Sequence, residues 1–217
     1  MQTLKTLSHQ VMAQLELRLA LARQHLLLKE TDYRVKNSLQ SIGSMLNVTA
    51  SRSKNDDVRQ ALRQASDRVA NVALLHQQLY LSEVNDAVDA AAYLQGVMAL
   101  LKETMPPEIA ISADCVPLSL NARQATAIGV IVTEFASNSV KHAFRDQPRL
   151  IAVRLERAAN GLVTLPCSDD GPGMPVDMPR RNGLGLRIIG ASAENLGGTL
   201  ETRPGIKGHT VDITFVV

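Results

Sequence analysis

The first 42 residues contain neither glycine nor proline, so no helix-breaking residue occurs before Gly43. Apolar side chains recur there at steps of three and four residues, on one face of a helix: Val35, Leu39, Ile42 and Leu46. The pattern predicts one long helix from Leu4 to about Val48. Because such a helix cannot bury its own apolar face, the chain needs a fold in which another helix packs along it.

A second long helix is predicted after the polar break at residues 51–57. Asp56 and Asp57 suit the positive end of its dipole, and residues 53–56 resemble a capping box. Its apolar stripe again has helical spacing: Val58, Leu62, Ala65, Val69, Val72, His76 and Leu79. Since a single hairpin of two helices makes a poor core, we expect two hairpins to pair as a four-helix bundle in a homodimer.

Composition disfavours several classes of protein. The net charge of +2 lacks the basic surface that nucleic-acid binding requires, and 3% aromatic residues without Trp argue against a β-sandwich. Two cysteines, Cys115 and Cys167, are too few for a disulfide framework or a four-cysteine metal site, and they favour a reducing, cytoplasmic setting. With no apolar run of about 18 residues and no signal-peptide pattern, neither membrane insertion nor secretion is expected.

A second domain is predicted from about Asp86, which divides the chain into residues 1–85 and 86–217. The expected helices are 90–103, about 121 to 143, and 186–196; the expected strands are 109–112, 117–120, 151–155, 161–167, 199–202 and 210–217. Pro166 has no backbone N–H, so its strand is expected at a sheet edge or a bulge. The fold class is therefore α+β, a helical hairpin followed by an α/β sandwich with helices on one face of a mixed sheet.

Two glycine-containing turns in this domain suit a ligand with phosphates. Asp169 and Asp170 precede Gly171-Pro172-Gly173, and Gly183-Leu184-Gly185-Leu186 opens a helix. Backbone N–H groups at a helix N-terminus bind phosphate, whereas a carboxylate accepts a hydrogen bond from an amino group. Either turn alone is a weak signal, because most glycine-rich turns are only turns.

Glu134 and Asn138 lie four residues apart, on one face of a predicted helix. An amide oxygen can hold a hydrated Mg²⁺, while a carboxylate can orient water or polarise a nucleophile. The pair alone is more typical of a solvated polar face. Together with the two glycine turns it predicts a nucleotide site.

These residues resemble the ordered motifs of bacterial sensor histidine kinases. Residues 133–144 resemble the N box, residues 169–173 and 183–186 the two glycine boxes, and residues 208–210 the closing Gly-Thr turn of the ATP-binding domain shared with gyrase and a class of heat-shock chaperones. Residues 27–40 resemble the acceptor helix of the HRVKN-signature subfamily, and residues 74–80 its second helix. The subfamily is related to the HWE kinases, whose Trp box this Trp-free chain lacks.

The resemblance implies a site for ATP and Mg²⁺. Asn138 would hold Mg²⁺, Glu134 would assist phosphoryl transfer, and Asp169 would accept a hydrogen bond from the adenine amino group. The other residues implied to contact or shape the nucleotide are Lys141, His142, Gly171, Gly173, Gly183, Leu184, Gly185, Leu186 and Thr210. The implied partner is the receiver domain of a response regulator.

Tyr33 stands where the subfamily has its phosphoacceptor histidine. A phenol, with an ordinary pKa of about 10, is a poor nucleophile near neutral pH and forms a stable ester instead of a phosphoramidate. Ordinary autophosphorylation is therefore expected to fail. Asn37, one helical turn further on, could still position a water against an aspartyl phosphate on a docked receiver, which needs no histidine.

No other histidine replaces Tyr33 convincingly. His9 and His25 are poorly placed on the helix, His76 is expected to be a packed structural residue, and His142 and His209 belong to the ATP-domain motifs. The expected function is two-component signal transduction by a kinase-like regulator, with phosphatase action on a response regulator. A non-enzymatic pseudokinase scaffold, a kinase using another acceptor, and an introduced Tyr33 in a normal kinase all stay open as alternatives.

Overall fold

The computed structural model describes residues 2–81, 87–142, 149–158, 160–173, 183–204 and 208–217. The chain forms two compact units, Met1–Ala73 and Leu74–Val217. Its elements are, in order, α1 (Gln2–Arg52), α2 (Asp56–Leu81), β1 (Val88–Asp89), α3 (Ala90–Thr104), β2 (Ile109–Cys115), β3 (Ser119–Leu120), α4 (Ala122–His142), β4 (Arg149–Arg157), β5 (Val163–Asp169), α5 (Leu184–Asn195), β6 (Thr199–Pro204) and β7 (His209–Phe215).

The first unit contains α1 and most of α2, which confirms the predicted pair of long helices. Asn55 caps α2, because its side-chain oxygen accepts hydrogen bonds from the backbone N–H groups of Asp57 at 2.9 Å and Val58 at 3.2 Å. The two helices approach closely at Gly43, whose carbonyl oxygen accepts a hydrogen bond of 3.1 Å from the buried Ser66 hydroxyl.

Part of the predicted apolar stripe stays exposed within this unit. On α1, Val35, Leu39 and Leu46 are half-buried. By contrast, Ile42 on α1 and Val58 on α2 are 48% and 46% exposed. The first unit therefore presents apolar surface beyond what its own two helices cover.

The second unit is built on a five-stranded sheet with the order β2-β4-β5-β7-β6. Strands β2 and β4 are parallel, and the remaining neighbours are antiparallel, so the predicted mixed sheet is confirmed. Alternate residues of the three central strands form the buried face: Ile151, Val153, Leu155, Val163, Leu165, Cys167, Val211, Ile213 and Phe215. Helices α3, α4 and α5 supply most of the rest of this core.

The prediction that Pro166 marks an edge strand or a bulge is wrong. Its strand, β5, lies between β4 and β7. The pairing of β5 with β4 lapses between Val153–Cys167 and Glu156–Thr164, yet the register is the same on both sides. The missing N–H of Pro166 thus interrupts one ladder locally, while the pairing with β7 continues through Pro166.

The boundary between the predicted domains, at residues 85 and 86, falls within residues 82–86, which are outside the described residues. The two compact units part within α2, between Ala73 and Leu74. Leu75 is 3% exposed and belongs to the core of the second unit. The end of α2 is therefore part of the α/β unit.

The short pair β1 and β3 was missed in part, because two-residue strands carry no readable alternation. Cys167 is buried in the core, Cys115 is half-buried against it, and both are free thiols. Among the helices that the structure describes, none has the length and apolar character needed to cross a membrane.

Candidate functional site

Asp169, the last residue of β5, is held by three donors from different parts of the second unit. Its Oδ1 accepts hydrogen bonds from the backbone N–H groups of Gly171 at 3.0 Å and His209 at 3.2 Å. Its Oδ2 accepts one of 2.8 Å from the hydroxyl of Ser139, a buried residue of α4. A carboxylate has about four acceptor positions, so one position on Asp169 remains for an amino group.

Gly208 connects the first glycine turn to the start of β7. Its φ is +78°, and a Cβ at this position would overlap the carbonyl oxygen of Asp169. Its backbone N–H donates a hydrogen bond of 2.7 Å to the carbonyl oxygen of Gly171. Only glycine fits here, because the backbone is left-handed and the opposing strand end leaves no room for a side chain.

The imidazole of His209 packs against Phe135 of α4, with ring centroids 6.2 Å apart and an angle of 14° between the planes. Its Nδ1 is buried and has no hydrogen-bond partner among the described residues. Burial lowers the pKa of His209, and the nearby Asp169 carboxylate partly opposes this effect. The ring is therefore kept neutral beside a carboxylate.

Because successive residues of a strand point to opposite faces, His209 and Thr210 lie on different faces of the sheet. His209 shares a strand face with the buried Val211, Ile213 and Phe215, whereas Thr210 points to the other face of the sheet. The sequence motif suggested Thr210 as the contact residue. The even spacing of His209 from the three buried residues that follow it makes this residue a further candidate, which the motif did not suggest.

Asn138 on α4 lies against the first turn of α5. A Cβ on Gly185 would come within 2.5 Å of the Asn138 side-chain nitrogen, so the absence of a side chain there admits the amide. Gly183 caps α5 without a side-chain hydrogen bond. The first backbone N–H groups of α5 lack acceptors within the helix, which makes this terminus suitable for an anionic oxygen beside Asn138.

One helix, α4, thus contributes to every described part of the candidate site. Phe135 packs on His209, Asn138 lies against Gly185, and Ser139 binds Asp169. Glu134 is 7% exposed and occurs one turn before Asn138. These residues recur at helical spacing, which explains how one short motif on α4 contacts both glycine-containing segments.

The remaining predicted residues of the second unit are placed unevenly. Gly171 is buried, and Gly173 has a φ of +77°. Leu184 is 56% exposed, whereas Leu186 is half-buried. Lys141 is exposed near the end of α4, and the side chain of His142 is outside what the structure describes.

Tyr33 and Asn37 belong to the first unit. Tyr33 is 66% exposed on α1, and Asn37 is exposed four residues later. Between residues of the same helical segment, Glu30 and Arg34 form an ion pair of 2.7 Å. The predicted acceptor position is thus an open helix surface.

A magnesium ion fits this donor set only as a nucleotide-bound ion. Within the described residues, no group of three His, Cys, Asp or Glu side chains is arranged to hold a metal. Asn138 offers one amide oxygen beside the helix terminus that suits phosphates. Mg²⁺ commonly uses few protein ligands together with water and phosphate oxygens, which matches such a site.

Two family models match the chain in tandem. Residues 30–105 match the model described as histidine kinase. Residues 124–217 match the model described as histidine kinase-, DNA gyrase B-, and HSP90-like ATPase. The first match covers the acceptor segment and the start of the second unit, and the second covers the candidate nucleotide site.

Curated relatives match over most of the chain. Sensor histidine kinase PdtaS of Mycolicibacterium smegmatis is 30% identical over 176 residues, covering 78% of this chain and 35% of the relative. Blue-light-activated histidine kinase 2 of Erythrobacter litoralis is 28% identical over 196 residues, covering 86% of this chain and 56% of the relative. The chain therefore spans about a third to just over half of the length of these relatives.

Solved structures match the fold. The histidine kinase domain from the Erythrobacter litoralis EL346 blue-light activated histidine kinase aligns with a TM-score of 0.61 and 22% identity, over 82% of this chain and 95% of that one. The longer EL346 structure aligns with a TM-score of 0.65, also at 22% identity, over 87% of this chain and 59% of that one. The helical part and the α/β part thus occur together in known structures.

Proposed function

We propose that this chain is a member of the histidine kinase family, that its second unit binds ATP with Mg²⁺, and that its helical hairpin acts on the receiver domain of a response regulator. The observation that carries the proposal is the Asp169 carboxylate, fixed by three donors with one acceptor position left. The family match over residues 124–217 implies the use of ATP at this site.

Different residues are proposed to bind different parts of the nucleotide. Asp169 accepts a hydrogen bond from the adenine amino group, and the N-terminus of α5 binds phosphate oxygens. Asn138 would hold Mg²⁺, which supplies positive charge that neutralises the phosphates. Glu134, buried one turn earlier on α4, would orient the group that receives the phosphoryl.

Tyr33 changes what the hairpin can do. Its phenol is exposed, and the carboxylate of Glu30, three residues earlier, is bonded to Arg34. We infer that ordinary autophosphorylation is lost and that Asn37 positions a water for dephosphorylation of a docked receiver. The non-enzymatic alternative is a pseudokinase scaffold, in which ATP binding changes docking without changing the receiver phosphate.

The hairpin is proposed to pair with a second copy. Exposed apolar residues lie along both helices of the first unit: Ile42, Met45, Val48 and Val58. Burying them between two hairpins gives the four-helix bundle expected of this topology. The proposed partner places the chain in the cytoplasm, and the two free cysteines fit a reducing compartment.

Labelling with γ-labelled ATP and Mg²⁺ tests the proposal on three proteins, the parent chain, Tyr33→His and Tyr33→Phe. The parent and the Phe variant are expected to stay unlabelled, whereas the His variant gains phosphate that is acid-labile and alkali-stable. That result shows a competent ATP site with a blocked acceptor. Label on the parent would refute the loss of autophosphorylation. If the parent were labelled and the Phe variant were not, Tyr33 itself would be the acceptor.

A further inference from the structure

We propose that His209 reads the nucleotide base together with Asp169, its Nε2–H donating to the adenine ring nitrogen next to the amino group. This inference rests on the proposed binding of ATP and extends it to the selection of the base. Neither the glycine turns nor the N box assigns this role, since the motif points to Thr210.

The position of His209 brings its ring to the base end of the site. Its backbone N–H is bonded to Asp169 Oδ1 at 3.2 Å, so the imidazole and the carboxylate that accepts from the amino group are attached at neighbouring points. Its side chain is on the strand face that points toward α4. A base bound to Asp169 on that side therefore meets the His209 ring next.

Contact with Phe135 fixes the plane of the imidazole. The two rings are nearly parallel, and Phe135 is 2% exposed, so the ring of His209 has a buried, rigid support on one side. Asp169 is likewise held by Gly171 and Ser139. Two recognition groups that are rigid before binding lose little entropy when a ligand is bound.

The buried nitrogen determines which nitrogen carries the proton. Nδ1 has no acceptor within reach among the described residues. A buried N–H without a partner is rarer in proteins than a buried acceptor without one, so the neutral ring places its proton on Nε2. His209 is only half-buried, and Nε2 is not among the buried atoms that lack a partner, so this nitrogen is the donor of the ring.

A donor beside an acceptor matches adenine. The amino group of adenine donates and the ring nitrogen next to it accepts, so Asp169 and His209 complement both. Guanine presents the O6 acceptor where adenine has its amino group, and this oxygen would face the Asp169 carboxylate. The pair therefore selects adenine nucleotides over guanine nucleotides.

Calorimetric titration of the full chain tests this with Mg²⁺ and three ligands, ATP, 1-deaza-ATP and 7-deaza-ATP. His209→Phe keeps a ring against Phe135 and removes the donor, whereas His209→Gln restores an N–H. Thr214→Val, on the same strand but the opposite face, is the matched control. We expect one deaza analogue to bind the parent and the control about five- to tenfold more weakly than ATP, as for the loss of one hydrogen bond.

In His209→Phe the affinity for ATP should fall by the same factor, so that ATP and that deaza analogue bind equally well. His209→Gln should recover part of the affinity for ATP and part of the difference between ATP and the analogue. The inference is overturned if both analogues bind the parent as tightly as ATP, or if the difference between ATP and the analogue survives in His209→Phe. Loss of ATP binding in Asp169→Asn alone would then leave the proposed function intact. A parent chain that binds no ATP would overturn both.

Discussion

The residues of the nucleotide site and the residues of the acceptor helix are held in opposite ways. Asp169 has three donors around its carboxylate, and Gly208 allows no side chain at all. Tyr33, by contrast, is 66% exposed on α1. Exchange of an exposed helical side chain usually changes stability by less than about 0.5 kcal/mol, so the chemistry of the hairpin can change without cost to the fold.

The comparison implies that nucleotide binding and receiver chemistry can be broken separately. Asn37→Ala should slow dephosphorylation of a receiver by roughly 100-fold, because the water loses its orienting amide, while the affinity for ATP stays unchanged. Receivers phosphorylated with acetyl phosphate are the substrate, and the loss of phosphate from the receiver is measured over time. Asn47→Ala is the control, because Asn47 is exposed further along α1. An equal loss in both variants would argue against a specific role of Asn37.

Asp169→Asn should weaken nucleotide binding and leave the chemistry on the receiver unchanged. An amide nitrogen in place of Oδ2 faces the adenine amino group with a donor, so the affinity for ATP should fall roughly 50-fold, as for loss of a charge-assisted hydrogen bond. Calorimetry measures it. Asp170→Asn is the matched control, because its side-chain oxygen can still accept the 2.9 Å hydrogen bond from the Leu150 N–H. If both variants bind alike, Asp169 is not the base-binding carboxylate.

Gly208→Ala should destabilise the second unit by about 2 kcal/mol or more, because it combines a left-handed backbone with an overlap against the Asp169 carbonyl. Gly161→Ala separates the two causes. Gly161 has a φ of +84° and open space around its missing Cβ, so only the backbone cost, about 1 kcal/mol, should appear. Urea unfolding measures both, and equal losses would mean that the overlap relaxes freely.

The smallest effect concerns pH. Burial holds the pKa of His209 below its ordinary value of about 6.5, although Asp169 opposes the shift. The unfolded chain then binds more protons than the folded chain below about pH 6.5, so stability is lost as the pH falls from there through the folded pKa. Thermal unfolding of His209→Phe should depend less on pH over this window, and an unchanged slope would assign the loss to other groups.

Regular spacing of apolar residues along the sequence predicted most of the fold. The absence of glycine and proline, together with helical spacing, predicted α1 and α2, and alternation located the three central strands. Pro166 was assigned wrongly because a missing donor was taken to need a sheet edge, whereas one lapse in a ladder is tolerated inside the sheet. Neighbours in the sheet, which decide this, are not visible in a local pattern.

Within the candidate site, the motifs located segments that the structure brings together, but they did not show every side chain that makes a contact there. Asp169, Asn138 and Gly185 were named from the sequence, and the structure gives each a contact within the site. Phe135 was not among the predicted site residues, and His209 was assigned only to the closing turn, yet the two rings are in contact. Their contact joins α4 to β7 over a large sequence separation. It could be predicted only once it was known which residues of β7 lie on the sheet face toward α4.

In the proposed complex, helix α4 links both ends of the nucleotide, since Phe135 and Ser139 contact the residues proposed for the base and Asn138 lies at the helix terminus proposed for the phosphates. A ligand gripped at both ends would oppose any bending or fraying of that helix. Binding of the nucleotide should therefore slow the exchange of amide hydrogens with deuterium along the whole of α4, including turns that do not contact the ligand.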